Sequence, residues 1–320
     1  MALLGTFDSW QRRHTLAAFP VAVVRKFLDD RASNLAALIA YYAFFSLFPL
    51  LLVFVSVLGF VLQENPSLQE DILDSALARI PVVGAQLRDD IVPLSGSTTA
   101  LVIGLAGALW AGLGVTLALN RAFEEIWDVS RLEQRGAFLA RVRGLVLLAI
   151  LGLSLIAATV AAGLAVGGRI GAAAEELGAT GVALAVNLLA FLGLFGLLTP
   201  RPPRIRELLP GAALTAAGSL ALQAAGGWYV EHAVTSASDT YGTFALVIGL
   251  LSWFWLGAHL LLVAAEVNVV RHQRLWPRSL AGELEAADRA ALCRAAQAAQ
   301  QDERQQIRVR FRNDHESAPT

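Results

Sequence analysis

Long apolar runs separated by short charged loops constrain this chain more than any other feature. A helix needs about 20 mostly apolar residues to cross about 30 Å of hydrocarbon, and only a helix or a closed barrel satisfies its own backbone there. Six stretches meet the requirement: Ala36 to Leu62, Thr98 to Leu119, Gly144 to Gly167, Thr180 to Thr199, Leu208 to Val230 and Thr243 to Val270. The fourth is the shortest. With 56% hydrophobic residues, 16% charged ones and a mean hydropathy of +0.57, the chain is too apolar for a soluble domain of 320 residues. The pattern predicts an all-α, polytopic membrane helix bundle of six transmembrane helices, with the lipid bilayer as its solvent.

Basic residues orient that bundle, because cytoplasmic loops keep Lys and Arg while translocated loops avoid them. Of the 25 Lys and Arg residues, only Arg79, Arg88 and Arg169 fall on the second side. The first side collects Arg12, Arg13, Arg25, Lys26 and Arg31, the Arg121 to Arg143 group, Arg201 to Arg206, and every Arg beyond Val270. Both termini are therefore expected in the cytoplasm. Three regions follow: a cytoplasmic amphipathic segment over 1–33, the transmembrane domain over 34–277, and a polar cytoplasmic tail over 278–320. Leu16 to Val24 is too short for a span and runs into Arg25, Lys26, Asp29 and Asp30 rather than a cleavage site, so it reads as a cytoplasmic helix. Between spans one and two, Leu68, Ile72, Leu73, Leu77 and Ile80 oppose Glu70, Asp71 and Asp74, which predicts an amphipathic extracytoplasmic helix broken at Pro81. After Pro277 the Ala/Gln/Arg/Glu-rich tail has little apolar surface to bury, and a frayed helix with a disordered end is expected.

Enzyme signatures are absent. The single lysine, Lys26, follows no Gly-x-x-x-x-Gly run, and there is no Gly-x-Ser-x-Gly elbow. His14, His232, His259, His272 and His315 show no metal-ligand spacing, and the lone Cys293 excludes an internal disulfide or a cysteine metal cluster. No catalytic residue, metal or cofactor is expected. Glu and Asp interspersed among the tail arginines argue for a solvated helix and against a nucleic-acid partner.

The informative residues are polar ones inside the spans, where a charge facing lipid costs about 2 kcal/mol or more. Ser252, His259 and Glu266 recur every seventh residue in span six and share a face. Thr215, Ser219 and Gln223 recur every fourth residue in span five, and Tyr42, Ser46 and Pro49 align in span one, where the proline frees a carbonyl near Phe45. One reading makes these stripes a polar pathway with His259 and Glu266 exchanging protons. The other makes the hydroxyls packing groups that bond back to their own helices and pairs Glu266 with Arg271. Gly107 with Ala111, and Gly163 with Gly167, form small-xxx-small faces for close helix approach, and Trp110 reads as a core residue. The Arg121/Glu125 pair reads as a solvated helix end.

Several segments, taken in order, resemble the YihY/BrkB family of bacterial inner-membrane proteins, once mislabelled as a ribonuclease. They are Ala40-Tyr41-Tyr42-Ala43-Phe44-Phe45-Ser46-Leu47-Phe48-Pro49, Leu119-Asn120-Arg121-Ala122-Phe123, Leu209-Pro210-Gly211-Ala212, Thr240-Tyr241-Gly242-Thr243 and Ala265-Glu266-Val267-Asn268. The resemblance spans about Asn34 to Arg271 and implies six helices in the bacterial inner membrane. It marks Asn120, Arg121, Pro210, Gly211, Tyr241, Gly242 and Asn268 as motif positions. Phe44 departs from the family, which has a small residue or Thr there. The resemblance implies no established reaction; a role in moving lipid or an envelope component has been suggested for members. The expected function is a transporter or flippase-like protein for a lipid or other envelope component, the alternative is a non-catalytic envelope scaffold, and ribonuclease chemistry lacks the metal site or base cluster it needs. Substrate, coupling ion and oligomeric state are written in none of these patterns.

Overall fold

The computed structural model describes residues 2–61, 98–130, 132, 139, 142–147, 172–200, 204–229, 243–280 and 284–311. Its elements are α1 (Ala2–Arg13), α2 (Thr15–Asp29), α3 (Ala32–Val61), α4 (Thr98–Ile126), α5 (Ala172–Leu198), α6 (Ile205–Tyr229), α7 (Thr243–Gln273) and α8 (Ala286–Ala298), and no strand occurs among the described residues. Four helices are long and apolar enough to cross a membrane, over Ala32–Val53, Leu101–Ile126, Ile205–Gly226 and Val247–Gln273. They coincide with expected spans one, two, five and six. Expected span four lies in α5, whose apolar stretch Ala183–Leu198 is shorter. Expected span three lies largely outside the described residues, as do the amphipathic segment between spans one and two and the motif residues Tyr241 and Gly242. The helices also outrun the apolar runs: α4 continues past Leu119 to Ile126, because no breaker follows and a helix keeps its own hydrogen bonds after it leaves the hydrocarbon.

Small residues set how closely the spans approach. α3 packs most extensively on α4, α7 lies against both α6 and α3, and α5 packs on α6. Along the α3–α4 seam, Gly104, Gly107 and Gly114 face Val53, Pro49 and Tyr42; a Cβ on Gly114 would lie 2.5 Å from Tyr42 Cδ1. Along the antiparallel α6–α7 seam, Gly211, Gly218 and Gly226 face Asn268, Leu260 and Trp253. α3 continues as helix through Pro49. Aromatic and branched side chains on the outward arcs stay exposed, among them Tyr41, Phe45 and Phe48 of α3 and Val102, Ile103 and Leu109 of α4. Trp110 belongs to this outer arc and is 80% exposed, which corrects its reading as a core residue. The seam with α3 takes only small residues at 104, 107, 111 and 114, and an indole does not fit there.

At the end of the bundle that carries α1, α2 and α8, here termed the base, three helices close in the same way. Arg31 (φ 52°), Asp128 (φ 51°) and Arg274 (φ 54°) follow α2, α4 and α7 in the left-handed conformation. The turn is sealed by Val129 N–H donating to Glu124 O at 2.9 Å and by Leu275 N–H donating to Val270 O at 3.0 Å. A non-glycine residue there costs roughly 1–2 kcal/mol, which packing at the base must offset. Part of that packing is a clasp between the chain's two ends. Buried Arg278 donates to Asp288 at 2.7 Å and to Asp29 at 2.8 Å, Gln11 Nε2 donates to Arg278 O at 2.7 Å, and Arg12 meets Glu285 at 2.8 Å. α8 opens with a capping box between Glu285 and Asp288 and buries Ala287 and Ala291.

Glycines at the seams and glycines in open space should respond oppositely to a methyl group. Gly211→Ala would drive Cβ into the Ala264 carbonyl and the Asn268 amide and should lower stability by about 1–3 kcal/mol. Gly257→Ala meets nothing within 4 Å and should raise it by about 0.5–1 kcal/mol through helix propensity. Thermal unfolding of the purified protein in detergent reads both signs.

Candidate functional site

Lys26, the only lysine in the chain, is 2% exposed at the C-terminal end of α2. Its ammonium pairs with Asp30, one turn on, lies 3.4 Å from Asp128 Oδ1 and donates to Ile126 O at 3.2 Å. The last contact sets a cation on a terminal carbonyl of α4, where the helix dipole favours it. The left-handed turn at Asp128 brings that carboxylate round to Lys26. Glu266 of α7, with 0% exposure, faces the same group. Three carboxyls from three elements therefore share one buried ammonium.

Burial is the largest influence on Lys26, Asp30 and Asp128. It lowers the pKa of Lys26, but Glu266, Asp30 and Asp128 together outweigh it and hold the ammonium above its ordinary value. It raises Asp30 from 3.8 to about 6, although Lys26 pulls the other way, and raises Asp128 against the same attraction. Neither oxygen of Glu266 has a hydrogen-bond partner among the described residues, and the charged groups that act on it are Asp30, Lys26 and Asp128. A cleft of about 680 Å³ lined by Trp127, Asp128, Gln273, Arg294, Gln300 and Arg308 opens beside Asp128, on the outer side of the cluster.

The residues singled out in the sequence are spread over several environments. Ser46, Thr215 and Ser219 each donate to a carbonyl of their own helix, Ala43 O at 2.8 Å, Gly211 O at 2.9 Å and Ala216 O at 2.8 Å. Gln223 and Ser252 are exposed, while Tyr42 and Pro49 fill the α3–α4 seam. His259 meets Trp255 O at 2.9 Å and Ser33 Oγ at 3.2 Å, and its ring is 5.6 Å from that of Phe27. Along the seven-residue stripe of α7, exposure falls from Ser252 to none at Glu266, because different neighbours cover successive turns. Glu266 faces Lys26 and Asp30, whereas Arg271, its partner in the packing reading, is exposed. Of the motif residues, Asn268 is buried and accepts the Gly211 N–H at 2.8 Å across the α6–α7 seam, one residue beyond Pro210. Asn120 donates to Thr116 O at 2.8 Å, and Arg121 is exposed.

Sequence reasoning missed Lys26, Asp30 and Asp128 as site residues. The available signal was a solitary lysine in an arginine-rich chain, spaced i,i+4 from a carboxylate at a helix end. Among the described residues no group of three His, Cys, Asp or Glu side chains is placed to hold a metal ion.

Apolar spanning helices around a buried ionisable junction define a polytopic helical membrane protein. The chain matches the family described as Virulence factor BrkB over residues 23–289, and it belongs to that family. It is 28% identical over 274 residues to the inner membrane protein YhjD of Escherichia coli (strain K12), covering 79% of this chain and 81% of that protein. It is 25% identical over 256 residues to YfkH of Bacillus subtilis (strain 168), a protein with a ribonuclease-like name, covering 75% of this chain and 90% of that one. No solved structure matches the chain.

Two variants check the junction. Lys26→Met strands three carboxyls without their counter-ion and should cost about 3–5 kcal/mol, part of which Asp30→Asn restores. The pKa of Asp30 is higher folded than unfolded, so its contribution is complete below pH 3.8 and is lost as pH rises through about 6. Thermal melts across that window should show the decline in the native protein and a flatter profile in Asp30→Asn.

Proposed function

We propose that this protein is a multi-pass protein of the bacterial inner membrane, with both termini in the cytoplasm, that moves a lipid or another envelope component across the bilayer in the manner of a flippase and is not an enzyme. One observation carries the reading: the buried Glu266 carboxyl of a spanning helix has Asp30, a second carboxyl, as its neighbour. A structural ion pair needs one carboxylate for one ammonium. Three carboxyls around Lys26 exceed that need and supply a site that gains and loses a proton, which is a common role of ionisable groups inside transport proteins. Exchange of that proton changes the charge at the α2–α4–α7 junction and biases how those helices pack. His259 and the polar residues of α3 and α6 complete the proposed pathway above it.

A second reading, a non-catalytic envelope scaffold, is favoured by the hydroxyls of Ser46, Thr215 and Ser219, which are satisfied within their own helices. Reconstitution separates the two. Vesicles carrying the protein and a headgroup-labelled phospholipid are treated with a membrane-impermeant reductant, and the slow loss of inner-leaflet label is timed. The expected result is faster loss than in protein-free vesicles, reduced several-fold by Glu266→Gln with insertion and melting temperature intact. Rates equal to protein-free vesicles, together with aqueous protection of single cysteines at Ser46, Ser219, Gln223 and Ser252 in a Cys293→Ser background, would leave the scaffold reading standing.

A further inference from the structure

The cleft beside Asp128 is walled by four pieces of chain that meet at the base. Trp127, Asp128 and Ser130 follow α4, Gln273 ends α7, Arg294 and Gln297 stand in the last turns of α8, and the segment from Gln300 to Arg308 forms the remaining side. Contacts among these pieces fix the wall. Ser130 Oγ donates to Gln300 O at 3.4 Å, Arg294 Nη1 donates to Gln273 Oε1 at 3.0 Å, and Gln300 Nε2 donates to Gln305 O at 2.7 Å. The wall residues from Arg294 onward lie beyond the 23–289 stretch shared with the family, so much of the cleft belongs to this chain's own tail.

The chemistry of the wall selects its occupant. Its charges balance, Arg294 and Arg308 against Asp128 and Glu303, and leave no surplus to attract a strongly charged ligand. Five glutamines, at 273, 297, 300, 305 and 306, supply primary amides, each with two donor hydrogens and an acceptor oxygen. Groups that both donate and accept match hydroxyls, which do the same. Trp127, Ala298 and Ile307 make up the small apolar part, and the flat body of an indole suits the C–H face of a saturated ring. Part of the wall is still unengaged: among the described residues the side chains of Gln297, Gln306 and Arg308 make no hydrogen bond or ion pair, and Trp127 Nε1 and Asp128 Oδ2 have no partner. The volume of about 680 Å³ is in the range of small-molecule sites.

We infer that this cleft binds a neutral polyhydroxylated ligand, a sugar of one or two rings. The unengaged amides of Gln297 and Gln306 and the guanidinium of Arg308 hydrogen-bond its hydroxyls, and Trp127 takes the face of a ring. Gln273, Gln300 and Arg294, already tied into the wall, hold the shape of the site. Such a ligand would touch both the tail and the end of α4, and so join the two segments next to the Asp128 that faces Lys26. The inference is independent of the transport reading, since neither the topology nor the proton site enters it.

The test uses the full chain in phosphatidylcholine nanodiscs, free of sugar-headed detergent, with empty discs as the blank. Saturation-transfer NMR follows the ring protons of glucose, N-acetylglucosamine, maltose and, as a charged comparison, glucose 1-phosphate. At least one neutral sugar should bind with a dissociation constant of about 1 mM or tighter, and glucose 1-phosphate no better than glucose. Gln306→Ala combined with Arg308→Ala changes two exposed positions and should weaken that binding several-fold with the melting temperature unchanged. No transfer to any neutral sugar would overturn the inference and leave a solvated groove. Binding of glucose 1-phosphate alone would also overturn it, because the wall would then select charge. Sugar binding undiminished in the double variant would place the site elsewhere and overturn it as well. None of these outcomes bears on the lipid-flipping assay.

Discussion

Burying one ammonium among three carboxyls is the constraint around which the base of this protein is arranged. Removing such groups from water costs several kcal/mol per ion, and the cost is recovered only with close geometry and further hydrogen bonds. Lys26 obtains that geometry by reaching Asp30 on its own helix, the Ile126 carbonyl and Asp128 at the end of α4, and the neighbourhood of Glu266 on α7. Each contact fixes a helix end: where α2 stops before α3, where α4 turns back, and how far α7 runs beside them. The left-handed turns at Arg31, Asp128 and Arg274 are tolerated because this packing holds them.

A second polar layer binds the outer side of the base. Arg278, Asp288, Asp29, Gln11 and Asp8 join the first two helices to the segment after α7. These contacts lie beside the junction, and a cleft lined in part by Asp128 opens next to it. In the proposed function the Glu266 and Asp30 carboxyls exchange their proton with the base side of the bundle. The BrkB family relationship states what kind of protein this is, and Glu266 is the carboxyl of α7 that the junction buries.

Some of this was legible in the residues. Glu266 drew attention because a carboxylate in an apolar run is expensive, and the structure does bury it completely. Arg271, its partner in the packing reading, is near in sequence but exposed, and the facing groups Lys26 and Asp30 come from residues more than two hundred positions away. Gly211 and Asn268 belonged to separate motif segments, and only folding joins them by a 2.8 Å hydrogen bond. The hydroxyls at 46, 215 and 219 shared helix faces as expected, but a helix face says nothing of whether a hydroxyl meets water, a neighbour or its own backbone carbonyl. Trp110 illustrates the same limit, since periodicity cannot say which arc of an apolar helix faces lipid.

By itself the sequence determined the solvent and the class: its apolar runs require helices, because hydrocarbon leaves the backbone no other partner, and four of them stand in the structure as spanning candidates. Hydrophobicity encodes this locally, residue by residue. Tertiary structure alone decided which polar groups meet, since in lipid every outward apolar face is equally acceptable and packing of small residues and buried charges selects among the arrangements. The Lys26 junction is therefore a property of the assembled helices, written in no single stretch of the chain.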